Sequence, residues 1–438
     1  MTSGLPVDPA QLDAWLVEQR WFRSRTRPLR AVTVHDSIEL PVTDAVLLVL
    51  RASFVEGADE RYLVPAMASA EPPREAADGD GVWRSLVALM ADGPRLLPGR
   101  RGGLALEPGP ALAALLPGGR AEAKDLTERA LGVEQSNSSV RLGDRLMLKV
   151  YRLLEPGINP EVEVLELLTA RGFAHAPLAA GSMRYVPDDA EPAAAGVVQS
   201  LIPARGDGWG WMLEQLGGPS AAHGQTIAAA SQIGGVTAEL HAALQSVPDR
   251  PGFPWRPATA EERHAWRTGA EAELEAALAA VAGEERIRLS GAAAGVRAAF
   301  DALTAAPGAW TSRIHGDYHL GQLLVTDDGF VVTDFEGEPA RPLAERRRPA
   351  SPLRDVAGLL RSLDYAARTT RQRQPGFAAD AWLAEARSAF LTAYGQAADE
   401  SLLRALELEK ACYEVRYEAN FRPGWSWLPL EAVERLAA

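Results

Sequence analysis

The stretch Arg313–Pro339, RIHGDYHLGQLLVTDDGFVVTDFEGEP, decides how this chain is read. Two apolar runs, QLLVT and GFVVT, flank Asp327, Asp328 and Gly329, and this pattern predicts a β-hairpin inside an otherwise helical region. Asp317 stands five residues before Gln322, and Asp334 ends the second apolar run seventeen residues after Asp317. Either aspartate alone reads as a turn cap. Together they match one chemistry. Moving a phosphoryl group onto a hydroxyl needs a carboxylate to orient that hydroxyl and take its proton. It also needs oxygen ligands to hold Mg²⁺ against the triphosphate.

Working outward, Thr226–Leu244, Ala260–Ala306 and Pro375–Ala438 carry helical apolar spacing. The region before residue 203 is richer in strands. A short helix, QLDAWLVEQRWF, precedes three strand-like runs, AVTVHDSIEL, AVLLVLRASFV and RYLVPAM. Glu71–Gly81 reads as a polar Pro/Gly-rich link, and VWRSLVALMADG as a helix. ERALGVEQSNSSVRLGDRLMLKVYRLL reads as strand, polar turn, strand, short turn and strand. A helix then starts at Asn159-Pro160, as N-cap and first helical residue.

The pattern HGDxHxxN/Q followed by a DFE-type strand end resembles the aminoglycoside-phosphotransferase and choline-kinase superfamily, rather than protein kinases with H-R-D and D-F-G. The longer run DFEGEPARPLAERRRPASPLRDVAGLLRSLDYAA resembles actinobacterial maltokinases and glucosamine kinases. The resemblance covers roughly residue 125 to the end, and the first 90 residues resemble that group's cap less specifically. It implies an α+β, bilobal protein-kinase-like (aminoglycoside phosphotransferase-like) fold. The expected parts are an N-terminal cap subdomain at 1–90, a β-rich N-lobe at 91–203 and a mainly helical C-lobe at 204–438. It implies Asp317 as catalytic base, Gln322 and Asp334 as Mg²⁺ ligands, and ATP with Mg²⁺ as cofactors. Gln322 stands where most of the superfamily has Asn; the longer amide keeps the same oxygen.

Lys149 sits in an apolar strand, LMLKVY, where a buried ammonium needs an anion beside it. The resemblance makes that anion the ATP phosphates, with a helix glutamate holding the lysine. Glu163 is favoured, with Glu161 and Glu166 as alternatives. QSNSS, from Gln135 and Ser136 through Asn137, Ser138 and Ser139, is expected to be a polar turn offering N–H groups and hydroxyls to phosphate. Gln199 to Ile202, with Gln199 and Leu201 foremost, would be the hinge that pairs with adenine. On the acceptor side, Glu336 replaces the glycine of a D-F-G, and His319 flanks Asp317. Glu414, Tyr417, Glu418 and Phe421 share one helical face that leads into Trp425. Acids and aromatic rings on one face suit a sugar, and paired acids suit an amino sugar.

Composition bounds the rest. The chain has 438 residues, a net charge of −13 and one cysteine, Cys412. Such acidity argues against nucleic acid as a partner, and a single cysteine excludes a disulfide framework. MTSGLPVDPAQLDAWL has no basic n-region, and no apolar run is long enough to span a bilayer, so a cytoplasmic protein without a membrane partner is expected. Only Lys124, Lys149 and Lys410 are lysines among 45 basic residues, a hint that each survivor is needed as a compact ammonium. The expectation is an ATP-dependent sugar kinase, monomer or homodimer, acting on glucosamine at its 6-hydroxyl. Maltose is the alternative acceptor, and an aminoglycoside phosphotransferase and a silent binding module are the remoter readings.

Overall fold

Period-2 alternation in the first strands buries both faces of one sheet. Helix α1 (Pro9–Glu18) precedes β1 (Leu29–Glu39), β2 (Ala45–Phe54), β3 (Glu60–Met67) and β4 (Arg74–Glu75), which pair antiparallel in sequence order. Leu50, Ala52 and Phe54 of β2 share a core with Leu12, Trp15 and Leu16 of α1. Ala45, Leu47 and Val49 point to the other face and join the core of α2 (Val82–Met90). This computed structural model describes residues 9–41, 43–67, 74–132, 137–219, 222–245, 247, 250, 252–306, 309–339, 341–395 and 399–438.

The chain divides into two compact units. One runs to Gly172 and includes Ala176–Ile202; the other comprises Phe173–His175 and Pro203–Ala438. In the first, α2 shares its core with a second sheet formed by β5 (Arg95–Pro98), β6 (Gly102–Pro108), β7 (Glu128–Ala130), β8 (Asn137–Leu142), β9 (Leu146–Tyr151), β10 (Ala179–Pro187) and β11 (Ala193–Ser200). The strand order is β5-β6-β10-β11-β9-β8-β7, so β9 lies inside the sheet with β8 and β11 beside it. Two short helices, α3 (Leu112–Leu115) and α4 (Gly119–Lys124), precede β7, and α5 (Pro160–Ala170) follows β9. The Asn159 side chain caps α5, accepting from the N–H of Glu161 at 2.8 Å and of Val162 at 3.3 Å, with Pro160 as first helical residue.

The second unit is mainly helical. In order come β12 (Gly206–Asp207), α6 (Gly208–Gly217), α7 (His223–Gln245), β13 (Trp255–Pro257), α8 (Ala260–Ala280), α9 (Gly283–Ala305), β14 (Trp310–Ser312), β15 (Leu323–Thr326) and β16 (Gly329–Val332). They are followed by α10 (Leu343–Arg346), α11 (Leu353–Arg373), α12 (Ala379–Tyr394), α13 (Glu400–Phe421) and α14 (Trp427–Ala437). The expected hairpin joins β15 and β16, with Thr326 opposite Gly329. Helix α13 packs on α8, α9, α11 and α14, and α7 on α12. No helix among the described residues is long and apolar enough to cross a membrane.

Asn159→Ala is expected to cost about 1 kcal/mol of stability, read from the denaturation midpoint, while Asn159→Asp keeps the cap. Equal stability of the two variants would contradict the capping role.

Candidate active site

The hairpin holds the second half of the catalytic stretch, and a buried carboxylate holds the first. Asp355, in the first turn of α11, accepts from the N–H groups of His315 at 2.8 Å and Gly316 at 2.9 Å, and contacts His241 Nε2 at 3.1 Å. Burial alone would raise its carboxyl pKa. The His241 bond, the His315 charge interaction and the Gly316 N–H outweigh burial and hold it below the ordinary value. His315 then ties the loop to the hairpin. Its Nδ1 accepts from the Asp317 N–H at 3.3 Å and its Nε2 lies 3.0 Å from the Thr333 carbonyl oxygen. On the far side, α11 approaches so closely that a Cβ at Gly358 would come within 2.6 Å of the Tyr318 carbonyl oxygen.

Asp317 therefore projects from a loop pinned at both ends, and it lines a cavity of about 640 Å³ within this unit. His319 Nδ1 accepts from the Gly321 N–H at 3.0 Å, and its Nε2 lies 3.9 Å from Asp317 Oδ2. Burial pulls the His319 pKa below its ordinary value, with Asp317 opposing. Gln322 Nε2 donates to Asp334 Oδ2 at 3.3 Å. Asp334 has φ 63°, the one positive value at a non-glycine among the described residues. Backbone held in that region costs energy, and aspartate is one of the few residues that tolerates it. An amide and a carboxylate offer hard oxygen donors, and Asp334 is held in a strained conformation. The pair fits Mg²⁺.

The face of α13 that meets this cavity is not the expected one. Leu406, Glu409, Lys410, Tyr413 and Arg416 line it, whereas Glu414, Tyr417, Glu418 and Trp425 do not. Glu414 instead accepts from Arg361 Nη2 at 2.8 Å and Nε at 2.9 Å, and Glu418 from Arg422 at 2.6 Å and the Tyr365 hydroxyl at 3.3 Å. The cause is α11, whose Arg361 and Tyr365, one turn apart, draw both acids to the helix interface. Tyr417 stays exposed with its ring tilted against that of Phe421, and Trp425 sits half-buried beside the Arg422 guanidinium. Glu336 also stands outside the cavity lining, 3.7 Å from Arg346, while Glu338 lines the cavity.

In the first unit, Lys149 is buried on β9 with its ammonium 3.0 Å from Glu161 Oε2, which also accepts from the Tyr151 hydroxyl at 2.7 Å. Glu161, one of the two alternatives to the favoured Glu163, is the acid at this contact. Two residues along a helix turn a side chain by about 200°, so the two acids leave α5 in different directions. Asn137, Ser138 and Ser139 belong to strand β8, not to a turn: Ser139 lies opposite Lys149 in the ladder, and the Ser138 hydroxyl accepts from Arg152 at 2.8 Å. Gln135 and Ser136 lie outside the described residues. Gln199 is buried on β11, and the Leu201 N–H is already bonded to the Arg145 carbonyl at 2.8 Å.

The phosphotransferase enzyme family matches residues 126–406, and the maltokinase N-terminal cap domain matches residues 15–93. The chain belongs to the phosphotransferase enzyme family. A glucosamine kinase of Streptacidiphilus jiangxiensis is 31% identical over 391 residues, 84% of either chain. Another, of Mycolicibacterium smegmatis, is 31% identical over 327 residues, 70% of this chain and 79% of the relative. A solved glucosamine kinase in complex with glucosamine, ADP and inorganic phosphate is similar over 100% of both chains, with a TM-score of 0.75 at 26% identity. Within the family, this phosphotransferase falls in the glucosamine kinase and maltokinase group. Its α+β kinase-like fold with an N-terminal cap is the one the sequence led us to expect. It is an enzyme that transfers phosphate to a hydroxyl.

Residues missed from sequence are Tyr413 and Lys410; Lys410 had left a signal as one of three lysines, and Glu338 as the acid that follows Glu336.

Asp355→Asn is expected to destabilise this phosphotransferase by about 3 kcal/mol at pH 7, because it breaks a buried, fully bonded charge. Asp355 has a depressed folded pKa, so its contribution is present above its unfolded value and lost as pH falls through the folded one. The stability gap between parent and variant should therefore be full at pH 7 and narrow below about pH 4. A gap unchanged at pH 3, measured by denaturant unfolding, would contradict this role.

Proposed function

We propose that this phosphotransferase is a sugar kinase that uses ATP to phosphorylate glucosamine, with Asp317 as the base that accepts the hydroxyl proton. The full-length likeness to glucosamine kinases carries the choice of acceptor. The cavity supports it chemically: Glu273, Glu338 and Glu409 stand on its wall with Asp317 and the Tyr413 ring. Carboxylates take hydroxyl and ammonium donors, and a flat ring lies well against a sugar. The primary 6-hydroxyl is the least hindered acceptor and is our assignment for the reacting group. In this reading residues 1–90 form the cap, 91–203 carry the nucleotide grip and 204–438 the acceptor site.

Lys149, oriented by Glu161, is assigned to the ATP phosphates, where a fixed ammonium offsets their charge. Gln322 and Asp334 would hold Mg²⁺, which when bound neutralises charge on the phosphate oxygens. Asp317 orients the attacking hydroxyl. His315 and Asp355 act one step further back, by keeping that carboxylate in place.

The test is ADP release with glucosamine, maltose, glucose, N-acetylglucosamine and kanamycin as acceptors. Glucosamine should be turned over best, and Asp317→Asn should lower kcat by about 10²–10⁴-fold. Turnover with maltose alone would reassign the acceptor. Absence of Asp317-dependent turnover with every sugar would overturn the proposal.

A further inference from the structure

Lys410 lies one turn before Glu414 on α13 and lines the cavity. Its ammonium is 3.6 Å from Asp317 Oδ1, 3.8 Å from Glu338 Oε1 and 4.5 Å from the centre of the Tyr413 ring. Burial pulls the Lys410 pKa down, but Asp317, Glu338 and Glu414 outweigh it and raise the pKa, so the group stays charged. A cation placed on the side chain assigned as base has a direct consequence for phosphoryl transfer.

We propose that Lys410 is a positioning residue for the reaction: by pairing with one oxygen of Asp317 it fixes the carboxylate plane and leaves the other oxygen to the acceptor hydroxyl. The inference rests on Asp317 being the base. A carboxylate on a short side chain rotates broadly about its last bond. An ion pair on Oδ1 removes that freedom, while Oδ2, 3.9 Å from the His319 ring, remains for the substrate.

Phosphoryl transfer passes through a loose transition state, where orientation of the nucleophile counts for more than the strength of the base. A cation beside Asp317 therefore costs little in basicity and contributes in alignment. In the step itself the hydroxyl O–H bond breaks and its proton goes to Asp317 Oδ2. The oxygen forms the new P–O bond, and ADP leaves with the electron pair of the old one. Asp317 is then neutral, and Glu338 keeps Lys410 compensated. The ammonium sits between the two carboxylates, and a cation kept there keeps Asp317 paired.

Steady-state kinetics with ATP and glucosamine on Lys410→Met and Lys410→Arg test the inference. Lys410→Met should lower kcat by about 10- to 100-fold and leave the KM for ATP within about twofold. Lys410→Arg keeps the charge and should recover kcat to within about fivefold of the parent. A Lys410→Met kcat within about twofold of the parent, a KM for ATP that rises in step with the loss, or a Lys410→Arg variant as slow as Lys410→Met would each overturn it. Asp317→Asn, run alongside, reports separately on the base: if it keeps parental turnover, the assignment of Asp317 fails, whatever Lys410 does.

Discussion

Asp355 is a buried carboxylate at the start of a helix, and two of its hydrogen bonds come from consecutive backbone N–H groups, those of His315 and Gly316. A buried charge is costly unless it is hydrogen-bonded, so the loop cannot drift without leaving this one unpaired. The remaining order of the site depends on this anchor. His241, itself in contact with the Tyr394 hydroxyl at 3.0 Å, completes the shell from α7 and α12. His315 carries the constraint to Thr333, and Asp317 is left as the half-buried end of this assembly. Preorganisation of this kind suits a reaction in which the protein supplies alignment and charge rather than covalent chemistry.

The two units keep separate tasks in this account. The first holds a buried lysine on an interior strand beside a glutamate that also accepts from a tyrosine hydroxyl, the ammonium we propose for the ATP phosphates. The second holds Asp317, the proposed base, the candidate metal ligands and a wall of acids, cations and aromatic rings. Net charge says little about either, since a few placed cations set the local field inside an acidic protein.

Much of the fold was legible because its signals are local. The hairpin follows from its turn residues, and α5 starts at Asn159-Pro160 because that pair satisfies the first N–H groups of a helix. Asp317, Gln322 and Asp334 stood out for the same reason: their spacing along one short segment is itself the signal. What escaped depends on partners distant in sequence. Which face of α13 meets the cavity is set by Arg361 and Tyr365 on α11, and no periodicity within α13 reveals that. The contact of Glu161 with Lys149 turns on which side of α5 meets β9, and the placing of Asn137–Ser139 in a strand turns on register with β9. The scarcity of lysine pointed to no particular site, and the place of Lys410 beside Asp317 depends on how α13 packs against the loop.

The central claim is that the cavity beside Asp317 receives the sugar. A crystal structure with glucosamine bound tests it most directly. The account predicts a sugar hydroxyl within about 3 Å of Asp317 Oδ2, with Lys410 still on Oδ1. A sugar lodged instead against Tyr417, Glu418 and Trp425, with Asp317 out of reach, would contradict it.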